Sequence, residues 1–144
     1  MDERLNDIEM QRWVAWKRAS EAVSAAVVAA ITAATGLSSA DFSVLTRVVE
    51  LGRGSIRQQA LSDDLGWERS RLSRQLTRMQ ERGLVRRDGD STVRRITATT
   101  RGRQLTAVAR DAHAHAVRRA LLDVAGSDAA FWRGIDGLGA NAQR

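Results

Sequence analysis

The chain has no cysteine, no proline and no tyrosine. Without cysteine there is no disulfide, no thiol redox switch and no thiolate zinc site. Without proline, helices must be ended by glycine and by capping side chains. The two histidines, His113 and His115, are two residues apart. On a helix that spacing sets them about 200° apart on different faces, so neither a metal site within one chain nor any cofactor is expected. Long apolar runs are missing as well: the alanine-rich stretch 22–34 is too short and too weakly hydrophobic to span a bilayer. The N-terminus, MDERLNDIE, is acidic where a signal peptide would be basic. A cytoplasmic protein without membrane association is expected. The parts of an enzyme are also absent. There is no glycine-rich phosphate loop after a strand and no Ser/His/Asp set with a recognisable geometry, so no catalytic residue is assigned.

What is there is arginine, unevenly placed. Lys17 is the only lysine, so almost every positive charge is a planar guanidinium suited to bidentate contacts with phosphate or guanine. Thirteen of the 23 basic residues lie from Arg53 to Arg103 against six acids, a net charge of +7, whereas the rest of the chain sums to −1. A basic module inside a near-neutral chain is the electrostatic footprint of a nucleic-acid reader. At 144 residues and 43% apolar, the chain has the size and composition of one soluble domain with a real core. It carries no internal repeat and no low-complexity linker.

Apolar periodicity divides it. Trp13, Trp16, Val23, Val27, Ala30 and Ala34 mark a helix over about 6–35, stopped by Gly36. Ser38-x-x-Asp41 is a capping box with Asp in the usual Glu position. It opens a helix with Phe42, Leu45, Val48, Val49 and Leu51 on its apolar face. Ser55-x-x-Gln58 has the form of a second capping box and predicts a short helix from there, with Ile56, Leu61 and Leu65 inward and Gly66 as its stop. Leu72, Leu76 and Met79 form the inward stripe of a helix over 69–82, ended by Gly83. Residues 84–87 and 93–97 are β-type runs on either side of the Asp88-Gly89 turn signal, a hairpin. A long helix then runs from Thr99 or Thr100 to about Ala125. Gly126 breaks it, and Ser127 is placed to cap a last helix through Phe131, Trp132, Ile135 and Leu138. The expected fold is therefore mainly α with a small β-hairpin wing: a helix-turn-helix, a wing, and long flanking helices.

This order resembles the MarR (multiple antibiotic resistance regulator) family along nearly the whole chain. The residues that carry the resemblance are Leu61-x-x-x-Leu65-Gly66, Leu72-Ser73-Arg74-x-Leu76-x-x-Met79, Gly83-Leu84-Val85-x-Arg87 and Thr99-x-x-Gly102. It implies a single domain over 1–144, with dimerisation helices at 1–36 and 99–144 and a winged helix-turn-helix DNA-binding lobe at 37–98. It further implies a homodimer, repression at an inverted-repeat operator on double-stranded DNA, and relief by a small aromatic effector. The wing departs from the family pattern. Where an Asp-Arg-Arg run is usual at the tip, this chain has Asp90-Ser91-Thr92, with the acid kept and both arginines missing.

With Leu72, Leu76 and Met79 inward, Ser70, Arg74 and Thr77 point outward, flanked by Arg71, Ser73 and Arg78. Together with Arg69 these are the donors that a recognition helix presents to the major groove. Arg74 can fork onto guanine O6 and N7, or the whole face can touch phosphates alone. Arg78 suits phosphate. Arg86, Arg87, Arg94 and Arg95 on the wing strands are placed to take over the backbone contacts. Glu68 either favours the helix dipole or accepts from cytosine N4, and Trp67 closes the turn by packing. Trp13 and Trp16, three apart, either pack a dimer interface or wall an effector pocket with Arg12 or Arg47 as carboxylate partner. The competing class is a helical adaptor that uses the winged helix to bind protein or RNA. A steep salt dependence on duplex DNA alone separates the two.

Overall fold

Helix α1, Asp7–Thr35, opens on a reciprocal cap. The Glu9 N–H donates to Asn6 Oδ1 at 2.9 Å and the Asn6 N–H donates to Glu9 Oε2 at 2.8 Å. This satisfies two backbone donors that a helix start leaves orphaned. The helix ends at Gly36, whose φ of +73° is a left-handed conformation that glycine adopts without a Cβ clash. The structure is a computed structural model that describes residues 3–90 and 93–144.

Helix α2, Ser39–Glu50, starts from the capping box expected at Ser38 and Asp41, with both reciprocal bonds formed. Its core face is Val44, Leu45 and Val48, all fully enclosed. Leu51, expected on that face, lies past the helix end and is 60% exposed.

The next segment corrects the sequence reading. Ser55–Arg57 is a strand, β1, and the helix expected to begin at Ser55 begins at Gln58 instead (α3, Gln58–Leu65). The hairpin offers β1 an edge. Val85–Asp88 (β2) and Arg95–Ala98 (β3) pair antiparallel, and β1 pairs with the other side of β3, giving the order β1-β3-β2. Ile56 stands opposite Ile96, a β-branched pair that favours sheet over helix. The wing is thus a three-stranded sheet. Arg94 precedes β3, and its carbonyl accepts from the Gln58 N–H at 2.9 Å, so the sheet runs directly into α3. The wing-tip departure at Ser91 and Thr92 lies outside the described residues.

Helix α4, Arg69–Glu81, follows the turn closed by Gly66 (φ +65°). Leu72, Leu76 and Met79 are completely buried, each stabilising the fold by about 1.5–3 kcal/mol through apolar area removed from water. Helix α5, Thr100–Val117, widens to a π-type stretch over Arg118–Leu122 and finishes as one short turn, α6, Asp123–Ala125. The last helix, α7, is Ala129–Ala142. Its cap is Asp128 rather than Ser127: the Asp128 carboxylate accepts from the Ala130 and Phe131 N–H groups. A carboxylate also suits the positive end of the helix.

The chain divides into two compact units, 1–27 with 114–144, and 28–113. The second contains the helix-turn-helix, the sheet and the end of α1, where Ile31 is 3% exposed. The first is helical and leaves Leu5, Ile8, Trp13, Trp16, Phe131 and Leu138 exposed. No single helix among the described residues is long and apolar enough to cross a membrane.

The Thr99-x-x-Gly102 pattern has a physical cause. The Thr99 hydroxyl lies 2.6 Å from the Gly83 carbonyl oxygen and accepts from the Gly102 N–H at 3.0 Å, joining the end of α4 to the start of α5. A Cβ on Gly102 would run into the Leu84 carbonyl oxygen and press on Leu45. Because the obstacle is backbone, it cannot swing aside. Gly102→Ala is therefore expected to destabilise the protein by about 2 kcal/mol, read as a lower urea midpoint, whereas Gly134→Ala, which meets nothing within 4 Å, should shift it little.

Candidate nucleic-acid interface

The orientation of α4 rests on one buried carboxylate. Asp41 is 2% exposed. Its Oδ1 accepts from Gln75 Nε2 of α4 at 2.7 Å, and its Oδ2 accepts from Arg82 at 2.6 Å and from the Ser38 N–H at 2.9 Å. Gln75 Oε1 in turn accepts from Arg78 at 2.9 Å, and a second Arg82 nitrogen donates to the Gly36 carbonyl at 3.3 Å. The chain Arg78–Gln75–Asp41–Arg82 thus spans the last two turns of α4 and ties them to the start of α2. Burial alone would raise the Asp41 carboxyl. The Arg82 hydrogen bond, the Ser38 N–H and the Arg82 charge outweigh it, so the pKa lies below the ordinary 3.8. The charged form is the one hydrogen-bonded, which is why it persists despite desolvation.

On the opposite side of α4 the expected face is present. Ser70, Arg71, Arg74, Thr77 and Arg78 are exposed, with Ser73 half-buried beside them. Arg74 has no hydrogen bond or ion pair among the described residues. Its neighbours are constrained. The Arg71 guanidinium stacks 4.0 Å from the centroid of the half-buried Trp67 ring, a cation–π contact that fixes the fork and leaves its edges free. Arg69 donates from Nε to Gln59 Oε1 at 2.9 Å. Glu68 occupies the N-cap of α4 without a side-chain capping bond.

The wing arginines differ among themselves. Arg87 donates to Thr77 Oγ1 at 2.9 Å and to Gln80 Oε1 at 3.0 Å, so it braces β2 against α4. Burial, and the charge of Arg94 alongside, hold the pKa of the Arg87 guanidinium below its ordinary value. Arg86 is paired with Asp88 at 3.1 Å. Arg95 donates to Ser55 Oγ at 3.2 Å and to the Ser55 carbonyl at 3.3 Å. Arg94 is half-buried and lines a cleft of about 710 Å3 together with Arg57, Gln58, Arg69, Ser70 and Ser73. No acid is among the residues that line it.

Sequence reasoning missed Arg57 and Gln58, because the segment was read as helix, and missed Gln75 and Arg82, because their partner is 34 and 41 residues away. The residues proposed for an effector lie in both units. Arg12 is exposed, and Trp13 and Trp16 are 52% and 45% exposed in the first unit. Arg47, in the second, directs Nε to Asp64 at 2.6 Å and another nitrogen to the Ser43 carbonyl at 3.0 Å. His113 stacks on Phe42 with ring centroids 5.6 Å apart.

Loss of the Asp41 charge should act on stability in acid. A folded-state pKa below the unfolded value means that the stabilisation is complete above about pH 4 and is lost as pH falls through the depressed value. Asp41→Asn is expected to cost about 2–3 kcal/mol at neutral pH. Its melting temperature should also fall less steeply than that of the wild type between about pH 5 and pH 3. Thermal melts across that range check both.

No family model and no curated protein matches the chain. Solved structures do. The chain is similar to Sco3205, a MarR family transcriptional regulator from Streptomyces coelicolor solved in complex with DNA, at 21% identity and a TM-score of 0.80, covering 98% of this chain and 94% of that one. A MarR-family transcriptional regulator from Rhodococcus sp. RHA1 matches at 26% identity and a TM-score of 0.72 over 98% and 96% of the two chains. CouR from Rhodococcus jostii RHA1, solved bound to p-coumaroyl-CoA, matches at 28% identity and a TM-score of 0.68 over 88% and 87%. None of the three is described as an enzyme.

Proposed function

Starting from its MarR-family fold, we propose that this chain is a homodimeric, sequence-specific DNA-binding transcription regulator that represses a promoter carrying an inverted-repeat operator. The observation that carries this reading is the outward face of α4, where Arg74 is exposed and has no partner among the described residues and Arg71 is held ready by Trp67. A similarly folded protein has been solved on DNA. Arg74 takes a guanine edge in the major groove. Arg69, Arg78, Arg86, Arg94 and Arg95 take phosphates, with Ser70, Ser73 and Thr77 as additional donors on the same face. Arg87 contributes charge from a position already braced against α4. A second copy of the chain covers the apolar side chains that the first unit exposes, since so many large exposed apolar side chains in one unit favour association. Dimer symmetry then dictates a two-fold operator, and a dimer covering a promoter excludes the polymerase.

The reading is tested by two substitutions on one footing. Arg74→Ala is expected to cost about 1–3 kcal/mol and relax preference at one position per half-site. Arg94→Ala should weaken all sequences alike and lower the salt slope by about one. Binding assays on operator duplex, unrelated duplex and RNA at several salt concentrations separate base reading from charge, and duplex DNA from the RNA-adaptor alternative. Unchanged specificity and affinity in both variants would contradict the placement of the reading helix.

Effector control is part of the same proposal. A small aromatic acid binds near Trp13 and Trp16, with Arg12 or Arg47 as the cation for its carboxylate; Arg47 already directs two of its donors to Asp64 and Ser43. A ligand shifts DNA binding only through differential affinity for two states, and the coupling is reciprocal, of about 1–3 kcal/mol. Titration with phenolic acids is expected to change tryptophan emission and release DNA in parallel, with Trp16→Phe blunting both. Emission and affinity flat to millimolar concentration would leave these tryptophans as interface packing.

A further inference from the structure

The cleft beside α4 has a composition that the reading face alone does not explain. Three of its arginines come from three separate places in the chain. Arg57 closes β1 ahead of α3, Arg69 opens α4, and Arg94 leads into β3. No acid is among the lining residues, so the three arginines share the cleft without a carboxylate in its wall. Neither Arg57 nor Arg94 has a side-chain hydrogen bond or ion pair among the described residues. Holding like charges together in a partly enclosed space is costly unless an anion joins them.

We propose that this cleft seats a phosphodiester of the DNA backbone, with Arg57, at the end of the first wing strand, as a clamp that lies outside both the reading helix and the β2–β3 hairpin. The proposal rests on the duplex-DNA reading above and extends it to a site on the β1–α3 junction. Three observations fit a phosphodiester within a longer strand. Ser70 lines the cleft and also belongs to the exposed face of α4, so DNA laid along that face carries its backbone past the cleft mouth. A volume of about 710 Å3 accommodates a phosphate together with flanking sugars rather than a single small ion. The charge of Arg94 also presses on Arg87, and an anion beside Arg94 relieves that repulsion. Gln58 completes the lining with a buried Oε1 that has no hydrogen-bond partner among the described residues.

The backbone geometry gives Arg57 a positional reason to be there. It is the N-cap of α3 with an extended backbone and no side-chain capping bond, and it pairs with Arg95 in the sheet through main-chain groups. Its guanidinium is therefore not needed to end β1 or to begin α3. Replacing it removes charge from the cleft and leaves those main-chain bonds in place.

The test uses the full chain and a duplex in which single backbone phosphates are replaced, one at a time, by neutral methylphosphonates. For the wild type, one replacement per half-site near the edge of the recognised bases should weaken binding about tenfold, the size of a lost charge-assisted contact. Arg57→Ala should bind the unmodified duplex about tenfold more weakly, show a salt slope lower by about one, and become indifferent to that one replacement. Arg57→Lys should restore most of the salt slope. A melting curve for Arg57→Ala close to that of the wild type confirms that the fold is intact. If Arg57→Ala remains sensitive to every phosphate that matters to the wild type, the clamp is refuted while the DNA reading stands. If the wild type binds no duplex at all, the reading and the clamp fall together. If inorganic phosphate displaces the duplex at concentrations where chloride of equal ionic strength does not, and no methylphosphonate position matters, the cleft is a free-anion site and the proposal is overturned.

Discussion

A carboxylate taken out of water must be compensated, and in this protein that compensation organises the helix-turn-helix unit. Asp41 is enclosed by groups from three places: its own helix start at Ser38, Gln75 midway along α4, and Arg82 at the end of α4. Each partner removed would leave charge or a donor unsatisfied in a buried setting, which is more expensive than the bond is worth when made. The consequence is geometric. With Gln75 and Arg82 fixed, α4 cannot rotate about its axis without breaking the network. The rotation that satisfies Asp41 is the one that buries Leu72, Leu76 and Met79 and turns Arg74 outward.

Around that fixed helix the arginines divide by partner. Those with a stacking or hydrogen-bonding neighbour, Arg69, Arg71, Arg78 and Arg87, have lost side-chain entropy before any ligand arrives. Preorganisation of this kind lowers the cost of binding. The side chains of Arg57, Arg74 and Arg94 have no hydrogen bond or ion pair among the described residues. A protein that only needed solubility would not place seven guanidinium groups around one helix, nor brace the wing to it through Arg87.

Much of this was legible in the sequence, and the boundary of legibility has a physical cause. The stripe of Leu72, Leu76 and Met79 showed because helical periodicity is local. The Ser38–Asp41 box showed because both partners lie within one turn. The further use of Asp41 by Gln75 and Arg82 did not show, since nothing local links residues so far apart. β1 was misread for a related reason. Ser55-x-x-Gln58 satisfies the local pattern of a helix start, but the unpaired edge of β3 competes for the same backbone groups and wins through Ile56 opposite Ile96. That misreading also hid Arg57. The π-type widening at Arg118–Leu122 has no sequence signature that periodicity detects, and Asp128 took the cap expected of Ser127 by standing one residue closer to α7.

The central claim is that two copies of this chain present two α4 faces to duplex DNA and read bases with them. Selection of bound duplexes from random DNA by the purified protein tests it most directly. The account predicts enrichment of an inverted repeat whose half-site centres are about 10 base pairs apart, the spacing that puts two reading helices in successive major grooves. Enriched sites without two-fold symmetry, or no enrichment above the random pool, would contradict it.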